Sequence, residues 1–229
     1  MILRSLIGAA ALSFAIAQSS LAVTPDPVGL YGEELRFSIL RNGKPVGSHI
    51  VRFRNEEPGF HVSAESKITV RFLGLPVYKF HYRSDSAWLG GRLLQLAATT
   101  DDNGDQGIVE FEASADGARV SGPNGTQQVS SNIIPTDHWH HPVVNASQVL
   151  NTLTGKINEV AILDLGWEDV LVAGELVRGR RHAYVGDLQT DVWYDADGRW
   201  VRMQFNGSDG SVMEYRCDGW SAMRIASAD

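Results

Sequence analysis

Residues 135–144 read PTDHWHHPVV, three histidines around a tryptophan between two prolines, whereas the other four histidines of the chain are scattered. In an extended chain alternate side chains share a side, so His138 and His140 would face together as the H-x-H pair that binds zinc or copper. Asp137 would then fall on the opposite side. A third ligand would have to arrive through the fold from His49, His61 or His81. The same residues also suit a turn with exposed histidines and Trp139 as its packing anchor. A histidine acting as general base would need a nucleophile within hydrogen-bond reach, which only the fold can supply.

Other stretches offer less chemistry. In DDNGDQGIVEFE, Asp101, Asn103, Asp105 and Glu112 fall at positions 1, 3, 5 and 12 of a calcium loop. The required glycine at position 6 is replaced by Gln106, and strands rather than helices flank the segment, so an Asn-Gly hairpin is the better reading. No serine sits in a G-x-S-x-G elbow, and no glycine-rich phosphate loop opens a helix. Neighbouring carboxylates such as Glu33–Glu34 and Glu56–Glu57 diverge to opposite faces of a strand. Cys217 is the single cysteine and reads as a packed thiol. These absences favour a non-enzymatic protein with no cofactor.

The elements that must position these residues are strands. In FHVSAESKITVRF, Phe60, Val62, Ala64, Ser66, Ile68, Val70 and Phe72 alternate with His61, Ser63, Glu65, Lys67, Thr69 and Arg71, giving a dry face and a wet one. In VYKFHYRSDSAW, Tyr78, Phe80, Tyr82 and Trp88 share a face. Turn signals recur between such runs, from Asn42-Gly43 to Asp209-Gly210. The pattern predicts a mainly β fold of about ten to twelve antiparallel strands. A sheet of that size should curl into a barrel or a half-open clam. One stretch breaks the alternation. Ala146, Val149, Leu150 and Leu153 have helical spacing, with Pro142 before them and Gly155 after. A short helix is therefore expected near 143–154, packed on the sheet.

At the N-terminus Arg4 precedes an apolar run from Leu6 to Ala17, and Ser20 and Ala22 suit cleavage after Ala22. This predicts a secretory signal peptide over 1–22, a single β-rich domain over 23–229, and a periplasmic location. The apolar run is too short for a membrane span, and no transmembrane span is expected elsewhere. The net charge of −7 argues against nucleic acid and anionic lipid surfaces as partners.

The order of segments carries a resemblance. RNGKPVGSH opens the fold, ITVRFLGLPVYKFHYRSDSAWLGGRLLQLAATTDDNG fills its middle, a Trp139 segment precedes VLNTLTG, and TDVWYDADGRWVRMQF closes it. The chain resembles an uncharacterised family of exported proteobacterial β-rich proteins, domain of unknown function 6134, and is distantly similar to lipoprotein-carrier-type curled sheets. The resemblance implies fold and export and assigns no reaction. It also implies that Trp139 is the family-like residue of its segment and His140 a departure. A curled sheet with bulky apolar interior positions suits a lipid or other hydrophobic small molecule, with Tyr78, Phe80, Tyr82, Trp88 and Trp139 as candidate interior contacts. Support of the cell envelope is a related expectation, and a zinc or copper site at His138 and His140 is the alternative.

Overall fold

The computed structural model describes residues 26–226, with side chains as far as Met223. The expected signal peptide lies outside the described residues.

Strands β1 (Glu34–Arg41), β2 (Lys44–Glu56), β3 (Gly59–Phe72), β4 (Leu75–Leu89), β5 (Arg92–Asp102), β6 (Asp105–Ser114), β7 (Gly117–Gly122) and β8 (Gly125–Val129) form one continuous meander. The chain then passes through β9 (Ile134–Pro135), a 3-10 helix (His141–Asn145) and β10 (Gln148–Leu150). A second meander follows: β11 (Ile157–Val172), β12 (Glu175–Gly186), β13 (Thr190–Tyr194), β14 (Trp200–Asn206) and β15 (Val212–Trp220). β15 pairs antiparallel with β1, so both meanders join in one sheet ordered β8 to β1, then β15 down to β9. The 15 strands exceed the ten to twelve expected. The excess lies in short edge pieces, of which β9 has two residues and β10 three. It also lies in a hairpin at Ala173-Gly174, whose left-handed φ of 50° and 91° carries none of the Asn or Asp that marks such turns.

The two edges of the sheet, β8 and β9, are separated by only residues 130–133. A link that short spans at most about 3.5 Å per residue, so the sheet must curl until its edges approach. They do not pair directly; side chains and turns close the seam. Gln127 Nε2 donates to the Gly155 carbonyl at 2.8 Å, and Asn124 Nδ2 to the Thr154 carbonyl at 3.3 Å. Backbones come so close here that a Cβ on Gly122 would lie 3.0 Å from the Thr154 oxygen. The result is a half-open barrel.

The expected helix at 143–154 is absent. His141–Asn145 forms a single 3-10 stretch, Gln148–Leu150 is a strand, and turns follow. Asn151 is the physical reason: its Oδ1 accepts from the backbone N–H of Leu153 at 3.0 Å and of Thr154 at 3.2 Å. Such a local turn competes with helical hydrogen bonding. Val149 and Leu150 are both fully buried because the short strand is covered on both sides, and two adjacent buried positions imitate helical spacing.

The strand alternation holds over 60–68 and lapses toward the hairpin, where Val70 is half-buried and Phe72 exposed. Phe60, Val62, Ala64, Ser66 and Ile68 are buried. On the wet face Glu65 meets Lys67 at 2.9 Å, His81 at 2.8 Å and Arg83 at 3.0 Å. Inside the curl, Trp139 packs against Phe53, Phe60 and Trp88 with ring centroids 5.1–5.9 Å away. Its backbone is tied down by Tyr31, at the end of the N-terminal helix α1 (Pro27–Tyr31). The Tyr31 hydroxyl donates to the Trp139 carbonyl at 3.1 Å and accepts from the Trp200 N–H at 2.8 Å. One fully buried hydroxyl thus links α1, the interior segment and β14. Tyr31→Phe leaves a buried N–H and a buried carbonyl without that partner, and a loss of about 1–3 kcal/mol is expected. Urea unfolding should show a lower midpoint at unchanged slope.

Candidate functional site

Three neighbouring strands place a polar row on the inner face. His49 on β2 stands opposite Ser66 on β3, and Ser66 opposite Tyr82 on β4. All three are buried. His49 Nδ1 and Ser66 Oγ lie 2.6 Å apart, and the Tyr82 hydroxyl donates to Thr152 Oγ1 at 2.9 Å. Opposite this row stand Trp200 and Met203 on β14 and Tyr215 on β15. Between the two walls lies a cavity of about 240 Å³, with residues 136–139 forming one side of it. Phe80, Leu153, Phe205 and Tyr215 line both this cavity and an outer vestibule of about 540 Å³. The vestibule reaches the hairpin end of the sheet, where Arg41 pairs with Asp209 and donates to Ser211 Oγ at 3.1 Å. Beside it the β3–β4 hairpin carries Phe72, Leu73, Leu75 and Val77, all exposed.

The histidine cluster does not behave as an H-x-H pair. Residues 137–140 form a turn, in which the His140 N–H donates to the Asp137 carbonyl at 3.2 Å, so the alternation of an extended chain does not apply. His138 packs between Tyr184 and Trp200 and lines the cavity. His140 turns to Trp88 and Trp139 instead. His141 meets Tyr194 and His182. His138 and His140 are buried rather than exposed, at 7% and 3%. Among the described residues no group of three or more His, Cys, Asp or Glu side chains is placed to hold a metal ion. His138 and His140 thus diverge, and the expected pairing is corrected.

The proposed interior contacts divide. Phe80, Tyr82 and Trp139 line the cavity, and Tyr78 lines the vestibule. Trp88 lies on the far side of Trp139, stacked on Phe60 at 6.1 Å, and reaches neither space. Asp137, His49, Ser66 and Tyr215 were not among the expected contacts. Ser66 and His49 were open to discovery from alternation, since each is a polar residue on a dry face. Asp137 was not, because its direction depends on the turn.

Electrostatically the cavity is unusual. Burial lowers His49 to about 3, helped by neighbouring His138, and lowers His138 to about 4. Burial raises Tyr215 to about 12 and pushes Tyr82 up as well. Asp137 is pushed up to about 7 by burial alone, with no hydrogen bond or ion pair to oppose it. Asp137 is half-buried and lines the cavity, whose lining contains no Arg or Lys. Burial also pushes Cys217 to about 12, an inert packed thiol. Asp101 Oδ1 accepts from the Gly104 N–H at 2.8 Å, as an ordinary hairpin.

Residues 37–218 match the family described as Domain of unknown function (DUF6134). The chain belongs to this family. Its fold also appears in a crystal structure described as a beta-barrel-like protein of domain of unknown function DUF1849 from Brucella abortus. The two share 9% identity and a TM-score of 0.57, over 80% of this chain and 94% of that one. That similarity shows the fold alone. No curated protein matches the chain. In this chain the curled sheet holds a half-buried, unpaired carboxyl, that of Asp137.

The Asp137 carboxyl sets a pH signature. From the ordinary 3.8 to about 7, the unfolded chain releases a proton that the folded chain keeps, so this group's contribution to stability falls as pH rises and then levels off above 7. Asp137→Asn removes that penalty. It should raise Tm, with a larger gain at pH 8 than at pH 5 and little gain near pH 4. A gain of roughly 1–2 kcal/mol, or about 3–6 °C, is expected at pH 8. Scanning calorimetry across that range checks both sign and trend.

Proposed function

We propose that this is an exported, periplasmic and non-enzymatic protein that holds a hydrophobic or lipid-like small molecule inside the curled sheet, in support of the cell envelope. The observation that carries the reading is the cavity joined to its vestibule. Together they fall within the size of small-molecule sites, roughly 300–1,000 Å³. Their walls are mostly apolar, with Val51, Ala64, Phe80, Met203 and Phe205 among them, and polar groups stand at both ends, Asp137, His49 and Ser66 at the inner one and Arg41, Asp102 and Asp209 at the outer one. An apolar stretch with polar groups at its inner end suits an amphiphile. The exposed apolar β3–β4 tip beside the vestibule continues the same apolar surface outward. The N-terminal pattern of Arg4, the Leu6–Ala17 run and Ala22 supports export.

The Ser66–His49 contact supports binding better than acyl transfer. A catalytic pair needs a base matched to working pH and a third group orienting it. Burial instead leaves His49 a very weak base, and neighbouring His138 weakens it further. No carboxylate hydrogen-bonds its ring among the described residues. The pair serves as a satisfied hydrogen bond within the polar row.

A neutral fluorescent amphiphile, N-phenyl-1-naphthylamine, provides the test. The wild-type protein should bind it saturably, and Ala64→Phe should weaken binding at least about tenfold by filling the cavity from β3. Met203→Trp, from the opposite wall, should do the same, so that the result does not hinge on one variant folding. Circular dichroism confirms the fold of each. Unaltered probe affinity in two folded, cavity-filled variants would remove the interior as the site.

A further inference from the structure

The inner end of the cavity carries information about the head group of its ligand. Asp137 presents a carboxyl that no side chain or backbone N–H of the described residues engages. His138, 7% exposed, lines the same space, and its Nδ1 is shielded and without a hydrogen-bond partner. The other polar side chains of the lining are largely committed elsewhere. Ser66 is engaged by His49, Thr152 by Tyr82, Asn151 by its own turn, and Thr190 by the Gln204 carbonyl. Buried polar groups are nearly always hydrogen-bonded, and a functional role is one of the standard explanations for an exception. His138 Nδ1 and the neighbouring Trp139 Nε1 are both shielded, whereas the half-buried, unengaged Asp137 carboxyl lines the cavity and points to a ligand that meets it.

Charge decides which ligand. A carboxylate or phosphate head would enter a space with no Arg or Lys in its lining, beside an acidic side chain and two histidines held neutral. Its desolvation would go uncompensated, and like charge on Asp137 would oppose it. A head that donates hydrogen bonds meets the opposite situation: Asp137 has accepting oxygens and no donor directed at them. An ammonium adds charge complementarity, and a hydroxyl supplies the donor alone.

Resting on the reading of the interior as a ligand site, we propose that the cavity selects a single-chain amphiphile whose head donates hydrogen bonds and bears no negative charge. Its head lies against Asp137 and His138, and its chain extends past Phe80 and Phe205 into the vestibule. Asp137 is the specificity-determining residue. The preference runs from primary amine to alcohol to carboxylate.

Displacement of N-phenyl-1-naphthylamine by decylamine, decanol and decanoate tests this, with full-length mature protein at pH 8 and each competitor below its micellar concentration. Decylamine should displace the probe at least about tenfold more effectively than decanoate, the scale of one well-placed charge interaction, with decanol between them. Asp137→Asn should cancel most of the advantage of decylamine over decanol. It should change decanol affinity by less than about threefold, since an amide oxygen still accepts. His138→Gln, which keeps polar atoms at that position, should preserve the ranking. Decanoate binding as well as or better than decylamine overturns the selectivity while leaving the interior site standing. So does a ranking that Asp137→Asn leaves untouched. If the probe binds and none of the three competitors displaces it, the head-group proposal fails; if the probe itself does not bind, both readings fail.

Discussion

Four residues, 130–133, connect the opposite edges of a 15-stranded sheet, and the remaining architecture follows from that short tether. A sheet this wide twists on its own account, but twist alone does not bring its first and last edges together. The tether does, and the backbone contacts of Gly122 and Gly155 with the Gln127 and Asn124 side chains then hold the seam. Once the sheet is curled, its apolar faces enclose a space too wide for strand side chains to fill. The 134–150 segment, returning from one edge, passes inside and fills part of it with Trp139. Tyr31 clamps that segment by its hydroxyl. The cavity is the part of the interior that Trp139 does not occupy.

Much of this organisation is legible in the sequence. Period-two alternation in 60–68 and 78–88 assigns the correct residues to the inner face, though it also places Phe72 there, which lies exposed at the hairpin tip. Asn42-Gly43 and Asn103-Gly104 adopt the left-handed φ their composition demands. Curling, too, follows from strand number. The edge strands escape notice because two or three residues show no period. The helix expected at 143–154 fails because Asn151 bonds its own backbone, a local competition that apolar spacing cannot register.

The site is less legible than the fold, for a physical reason. Alternation reports which face a strand residue occupies only while the chain is extended. Between Pro135 and Pro142 it turns, and the turn sends His138 to Trp200, His140 to Trp88, and Asp137 to the cavity rather than away from it. The most evident chemical signal, three histidines in four residues, therefore disperses into three aromatic environments. The less evident residue, a single aspartate, lines the cavity with its carboxyl pushed up to about 7. Polar residues on a dry strand face, such as Ser66 and His49, are the sequence feature that best marks the interior.

What, then, suits the interior better than water? Water could hydrogen-bond to Asp137, and the cavity has room for several molecules. It would also wet Val51, Ala64, Phe80, Met203 and Phe205, at a cost of about 25 cal/mol for each Å² of apolar surface left unburied. A purely apolar ligand reverses the problem by covering those side chains and leaving the carboxyl unmet. The proposed ligand, with a donating head and an apolar chain, would satisfy both at once. Entering head first, it would reach Asp137 only when its chain lies along Phe80 and Phe205, so the two contributions would be gained together.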